Sequence, residues 1–445
     1  MNQTLTRQTQ LPPGPNPLLR SESIPAFQSD PIRFLQRMTG EYGPICSFQL
    51  GLQRLVVVNE PRYVRQLLVQ DYAQFKKGRF FELAKPFLGE GLLRSEGEFH
   101  AQQRRLIQPL FHRQRIQDYG LTMVDCAREW ADRLVPGQNI DISAEMMKLT
   151  LRIAGLTLLD TDLEQEAAEI GAALKVMLNL FVLVNNPLKR AWSKLPTPLR
   201  REIEQAVATL DLAIATIIAR QREQGAKRPN LIGHLMTLES GMSDRQIRDE
   251  ALTMFLAGHE TTANALAWTW YLLSRHPRVE ATFRKELETV LGGRLPGPED
   301  QARLPYTRMV LTEAMRLYPP AWILGRRNLN PYQLGDYSLA TDTVFLMSSY
   351  LMHHDQRYYA DPELFIPERW SAGFKEALPK FAYFPFGGGP RNCIGEAFAW
   401  MEGILMLATI GQRWRFAMVP DHPVALEPLV TLRPRYGLQM TPQGL

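Results

Sequence analysis

The segment SDRQIRDEALTMFLAGHETTANALAWTWYLLSRHP, which begins at Ser243, constrains the fold more than any other part of the chain. Its apolar residues recur at three- and four-residue spacing, which predicts one long helix. Ser243 or Asp244 can cap its start, and Pro277 stops it. Its middle is apolar nearly all round, first in LTMFLA and again in ALAWTW. A helix hydrophobic on every side has to be surrounded by other elements. In the centre of this run stand Gly258, Glu260, Thr261 and Thr262. A glycine inside a helix costs up to about 1 kcal/mol relative to alanine. The cluster therefore predicts a local opening, where threonine hydroxyls and a water replace backbone hydrogen bonds. It also predicts a buried acid, which is a functional candidate; the plainer alternative is a polar patch facing solvent.

A chain of 445 residues, 45% apolar and 22% charged, can supply such a surround. ISAEMMKLTLRIAGLTLL, EAAEIGAALKVMLNLFVLV and EIEQAVATLDLAIATIIARQREQ are further helical runs, as are GEFHAQQRRLIQPLF and YTRMVLTEAMRLYPP. NNPLKRAWSKLPTPLRR, between the second and third of these, reads as a mobile lid or equally as a solvated connection. PICSFQLG and RLVVVNE read as a hairpin turned at Gly51. Strand-like pieces extend to about Tyr350, and a last helix is expected from near Cys393 to about Trp414, followed by hairpin-like pieces. The expected class is mainly α with a minor β part (α+β). Residues 1–10 read as a disordered polar tail and residues 11–445 as a single domain, with no internal repeat.

Basic residues outnumber acidic ones by 51 to 46, a net charge of +5. That excess is too small and too scattered for a nucleic-acid binder, and suits at most a basic docking face for an acidic protein. MNQTLTRQTQ lacks the apolar centre of a secretory peptide, and no run approaches the roughly 20 apolar residues that span a bilayer. The three cysteines, Cys46, Cys126 and Cys393, are odd in number and widely spaced, which argues for a reducing compartment. The expected location is the cytoplasm, without a transmembrane anchor. Without a CxxC pair, a structural zinc site is excluded.

Cys393 lies in FPFGGGPRNCIGEAFAW, where a glycine loop meets a helical run. Unpaired N–H groups and the helix dipole favour a thiolate at such a position. The glycines allow positive φ and close approach, Phe386 can pack on a flat ligand, and Arg391 can pair with an anionic group. These are the requirements of a single thiolate ligand to haem iron. A buried core cysteine and a catalytic nucleophile are the alternatives, though no base stands nearby in sequence.

The pattern Phe386-x-x-Gly389-x-Arg391-x-Cys393-x-Gly395 resembles the haem-binding loop of the cytochrome P-450 family, in its soluble bacterial form. Nearly the whole chain shares the resemblance. Glu313 and Arg316 in EAMR, with Arg369 in PERW, match a structural ion network that braces the cysteine loop. AGHETT matches the helix segment that crosses the distal face of the haem, where Glu260 and Thr261 would deliver protons to bound dioxygen. His259 is given no role. His100 and Arg104 stand where the family places two donors to a haem propionate, often with tryptophan at the first; a histidine nitrogen can also donate. Arg326 stands at another propionate-pairing position, with Arg327 beside it.

The resemblance implies a helix-rich triangular prism with a small β subdomain, and haem b between the long central helix and the cysteine-loop helix. It implies a monooxygenase that hydroxylates or epoxidises a hydrophobic small molecule, such as a fatty acid, terpenoid or polyketide. Dioxygen is the co-substrate. Without a flavin or dinucleotide motif in the chain, NAD(P)H-derived electrons must come from a ferredoxin or flavodoxin with its reductase. From Phe99 to Gln117 there is no acid, while Arg104, Arg105, Arg113 and Arg115 are present, as a docking face or a merely solvated one. Phe80, Phe81, Leu83, Phe87, Leu88, Phe255, Ala257, Ala321, Trp322, Ile323, Leu324, Leu429 and Val430 would line the substrate pocket. A peroxide-driven peroxygenase and a non-catalytic haem sensor or carrier are the competing readings. The acid–threonine pair speaks against both.

Overall fold

The computed structural model describes residues 10–15, 20–51, 53–78, 81–82, 85–164, 169–174, 176, 198–224, 230–237, 242–371 and 373–445. They fall in two compact units, one of Met1–Arg79, Trp322–Glu363 and Glu376–Asn392, the other of Phe80–Ala321, Leu364–Lys375 and Cys393–Leu445. Of the loop expected over residues 185–201, residues 185–197 lie outside the described residues, as does most of the helical run before it, while Pro198–Arg201 begin a helix instead.

The first unit is built on a sheet. Helix α1 (Pro31–Tyr42) starts where the Asp30 side chain accepts from the Arg33 amide and Pro31 presets the first turn. It ends at Gly43, whose φ of 90° an L side chain would resist. Its buried face is Ile32, Phe34, Leu35 and Met38, at helical spacing. The expected hairpin is present as β1 (Ile45–Leu50) and β2 (Gln53–Val58), with Ile45 opposite Val58. With β3 (Phe75–Lys77), β4 (Leu324–Asn328) and β5 (Val344–Met347) they form one sheet in the order β1-β2-β5-β4-β3. Only β2 and β5 are parallel; the other neighbours are antiparallel. Phe75 meets Phe345 edge-on at 5.5 Å, in a core that also holds Leu68, Met347 and Phe384.

The glycine loop runs along this core, and the expected positive φ is present at Gly387 and Gly389. Gly389 has a φ of 69°, and a Cβ there would collide with the Leu68 carbonyl. Gly388 is extended, but a Cβ there would run into the Phe381 ring, which packs against the core cluster. Close approach to the chain's own backbone and ring demands these two residues.

The second unit is helical. Its main helices are α2 (Gly97–Ile107), α3 (Arg113–Asp132), α4 (Ile142–Leu158), α5 (Pro198–Gln224), α6 (Asp244–Arg275), α7 (Pro277–Leu291), α8 (Pro305–Leu317) and α9 (Glu396–Gly411). The long helix α6 is capped by Ser243, not Asp244: the Ser243 hydroxyl accepts from the Gln246 amide while the Gln246 side chain accepts from the Ser243 amide. It is buried along most of its length, as its apolar flanks require. Trp268 stacks on Tyr318 at 4.2 Å, and Trp270 meets Phe416 edge-on at 5.0 Å. The expected opening at 257–262 is absent; the helix runs through it unbroken. Thr261 Oγ1 shares the Ala257 carbonyl, at 2.9 Å, without displacing the helix.

The last helix is shorter than expected at both ends. Gly395 is its N-cap, so Cys393 sits in the turn before it. It stops at Gly411, because Trp414 starts strand β6 (Trp414–Met418) and its indole donates to the Ala131 carbonyl at 3.0 Å. Hairpin β7 (Leu426–Pro428) and β8 (Leu432–Pro434) follows, then β9 (Gln439–Gly444), which pairs with β6.

Candidate active site

Cys393 occupies the turn that leads into α9, within reach of the amides that a helix start leaves unpaired. Burial pushes its thiol up to about 11, against a hydrogen bond from the Gly395 amide and the charge of Arg104; Glu396 adds to the rise. The helix-start amide thus favours the thiolate, as the sequence suggested, while burial opposes it. Cys46 and Cys126 are sealed in the core, and burial pushes both thiols to about 12. Cys393 differs in kind. Solvent can reach its side chain, yet protein crowds it enough for desolvation to dominate.

Among the described residues, no group of three or more His, Cys, Asp or Glu side chains could hold a metal ion. A metal at Cys393 would have to bring its other ligands with it. Haem iron, with four porphyrin nitrogens and one axial thiolate, fits that donor set. The thiol would release its proton on binding.

Helix α6 is buried around its middle except at Ala257, Gly258 and Thr261, which share one accessible face. Glu260 lies beside them but points elsewhere. It is 2% exposed, and its carboxylate accepts from Thr431 Oγ1 at 2.6 Å. Burial pushes its carboxyl above the usual range, with Thr431 and then Arg433 opposing. His259 is a core residue: its Nδ1 lies 2.6 Å from the Phe255 carbonyl, and burial lowers its ring to about 4, so it is neutral. Phe255 is buried beside it. Thr150 of α4 donates to the His259 carbonyl at 3.0 Å.

On α2, His100 and Arg104 stand one turn apart on one face, the first buried and the second half-buried. Burial lowers the Arg104 guanidinium and the nearby Cys393 raises it, which places the two in one electrostatic neighbourhood. Arg105 and Arg113 are exposed, and Arg115 lies 3.8 Å from Asp118.

Glu313 is the centre of the expected network. It accepts from Arg316 Nε and Nη2, both at 2.8 Å, and from Arg369 Nε at 3.2 Å. Glu313 and Arg316 are fully buried. Sequence reasoning missed two further donors, Trp370 Nε1 at 2.7 Å and the Ile366 amide at 3.1 Å. Arg316 also reaches the Leu364 carbonyl at 3.0 Å, so the network ties residues 364–370 to α8.

The first unit carries Arg326, Phe386 and Arg391, all half-buried. Arg326 and Arg327 alternate along β4 and so face opposite ways; Arg327 is ion-paired with Asp342. Trp322 is 2% exposed and belongs to the core, where its carbonyl accepts from Ser348 Oγ at 2.8 Å; Ile323 and Leu324 are half-buried. Phe80 and Leu83, and the Phe87 side chain, lie outside the described residues. Phe81, Leu88, Ala321, Leu429 and Val430 are half-buried in the second unit.

Three more acids went unread in the sequence. Asp249 and Glu250 accept from the Glu90 and Leu92 amides at 2.8 and 2.9 Å, pinning that loop to α6. Burial pushes Glu250 up to about 7. Glu402 of α9 is fully buried and pushed up by burial to about 8, with Thr262 opposing. The adjacent acids in RDEAL were the available signal for the first two.

The chain matches the family model described as Cytochrome P450 over residues 12–440. It is 35% identical over 415 residues to cyclooctat-9-en-7-ol 5-monooxygenase of Streptomyces melanosporofaciens, covering 92% of this chain and 89% of that one. Cyclooctatin synthase of the same organism is 36% identical over 413 residues, covering 90% and 89%. Pentalenene oxygenase of Streptomyces avermitilis is 32% identical over 409 residues, covering 89% and 90%.

Proposed function

The chain belongs to the cytochrome P450 family and is a haem monooxygenase acting on a hydrophobic substrate, and we propose that this substrate is a cyclic terpenoid alkene or alkenol, hydroxylated or epoxidised by dioxygen. The names of the similar enzymes carry the substrate class. A spectral titration tests it: a cyclic alkene or alkenol should shift the resting haem spectrum at lower concentration than a fatty acid of equal carbon number. The reverse order would overturn the class.

Haem b, when bound, supplies the oxygen-insertion chemistry, and a thiolate ligand favours O–O cleavage. The chain's own residues do the rest. Cys393 supplies the thiolate, and the Gly395 amide stabilises its charge. Arg104, Arg326 and Arg391, with His100, are the groups proposed to hold the haem carboxylates, and Phe386 to pack on the ring. Arg326 is favoured over Arg327 because Asp342 already takes Arg327. Glu260 and Thr261 hold the transferable protons. Their support is geometric: Thr261 lies on the accessible face of a buried helix, next to an acid whose carboxyl burial raises above the usual range. The pair favours dioxygen over peroxide as oxidant. Thr261→Ala should keep consuming electrons while product per electron falls about tenfold or more, and Thr261→Ser should restore it. Unchanged coupling in Thr261→Ala would remove Thr261 from the relay.

A ferredoxin or flavodoxin with its NAD(P)H-dependent reductase is the proposed donor, docking on exposed Arg105 and Arg113. Its reduction rate should fall as salt rises, since exposed charges are screened beyond about 10 Å at 0.1 M. A salt-independent rate would exclude this face. No helix among the described residues is long and apolar enough to cross a membrane. The two sealed, unpaired core cysteines support the cytoplasm as the working compartment, and residues 11–445 are taken as one catalytic domain.

A further inference from the structure

The tip of the β7–β8 hairpin is fastened to α6 by three of its side chains. Thr431 Oγ1 donates to Glu260 Oε1 at 2.6 Å, Asn264 Nδ2 donates to Thr431 Oγ1 at 3.3 Å, and Trp268 Nε1 donates to the Leu432 carbonyl at 3.2 Å. Glu260, Asn264 and Trp268 follow at four-residue spacing, so one helix face carries all three. Glu260, Asn264 and Thr431 are 2%, 2% and 6% exposed. A hydroxyl has one proton to give. Asn264 occupies a lone pair of Thr431, which leaves that proton directed at Glu260.

Leu429 and Val430, the half-buried residues of the tip, immediately precede Thr431. The tip is folded on itself by the Leu429 amide, which donates to the Thr431 carbonyl at 3.1 Å. Displacing these two apolar residues therefore moves Thr431. Thr261, one residue along α6 from Glu260, faces a different way and bonds the Ala257 carbonyl.

We infer that the hairpin is a substrate-responsive latch, in which Thr431 positions the Glu260 carboxylate away from Thr261 until a hydrophobic ligand displaces Leu429 and Val430. This rests on Glu260 being the proton-delivering acid. The electrostatics agree with the geometry. Burial raises this carboxyl, and the two groups that oppose it in favour of the ionised form, Thr431 and Arg433, both ride on the hairpin; Arg433 is itself paired with Glu427 across it at 2.6 Å. The other titratable groups along this stretch of α6 are neutral His259 and, from α9, buried Glu402 against Thr262; α4 contributes the Thr150 hydroxyl. Lifting the hairpin removes both supports together. Glu260 then takes up a proton and is free to turn, so it is protonated for delivery only when a substrate is present.

The test is an infrared titration of the resting ferric holoenzyme, with no turnover. The Glu260 band is identified by its loss in Glu260→Gln. Thr431→Val should raise the proton affinity of this carboxyl about tenfold, the scale of one hydrogen bond to a charged group. Thr431→Ser should return it to the wild-type value. Saturating wild type with the tightest cyclic alkenol of the spectral titration should raise it in the same direction. A midpoint that either Thr431→Val or the alkenol leaves in place overturns the latch. The underlying role is scored separately: if Glu260→Gln keeps wild-type product per electron, Glu260 is not the acid, whatever the titration gives.

Discussion

Cys393→Ala is expected to abolish the red-shifted Soret band of the reduced carbon monoxide complex and, with it, oxygenation. Changes that only support a metal ligand commonly cost 10–100-fold, and loss of the ligand itself should exceed about 100-fold. Cys46→Ala and Cys126→Ala are the controls. Both thiols are sealed in the core and held protonated by burial, so neither can take over the role. They should lose some stability and keep the band. A wild-type band at the unshifted, histidine-like position would remove Cys393 as the ligand, and so would a shifted band surviving in Cys393→Ala.

The second large effect is expected at Glu313. Its carboxylate is the shared acceptor for two guanidinium groups, an indole and a backbone amide. Removing it strands Arg316, which has no exposed surface, as an uncompensated buried charge. Breaking one partner of such a pair costs about 3–5 kcal/mol, a large share of the 5–15 kcal/mol that holds a typical domain folded. Glu313→Ala should therefore express poorly and carry less haem per chain. Trp370→Phe removes only the indole donor and should cost about 1–3 kcal/mol, folding at a lower melting temperature. Wild-type melting in both variants would show that the network does not brace the fold.

Particular residues show where sequence reading succeeds and where it stops. Glu260 was legible as a buried acid because its flanks are apolar on every side, and packing leaves such a helix one place to go. Cys393 was singled out not as a lone thiol but through the pattern Phe386-x-x-Gly389-x-Arg391-x-Cys393-x-Gly395 around it. Its environment was not legible: whether helix-start amides or desolvation wins depends on how closely the rest of the chain crowds the sulfur. The expected helix opening failed because a threonine can share its own helix's carbonyl without breaking the ladder. Thr431 was unreadable in its role, since its partner Glu260 is 171 residues away and no periodicity links a hairpin tip to a helix face. Trp370 was missed for the same reason, although it sits beside a residue that was found. Arg326 and Arg327 could be separated only once their segment was a strand, where neighbours point to opposite sides.

The seating of Gly388 against Phe381 and of Gly389 against Leu68 matters for anyone who diversifies this loop. In a mutant library scored by product alone, both glycines would drop out together with Cys393. All three would then look like cofactor contacts. Counting surviving protein separates them, because glycine losses deplete the folded pool, whereas a cysteine loss leaves folded but colourless or altered chains. Selection pressure on this loop thus has two sources, one from assembly and one from chemistry.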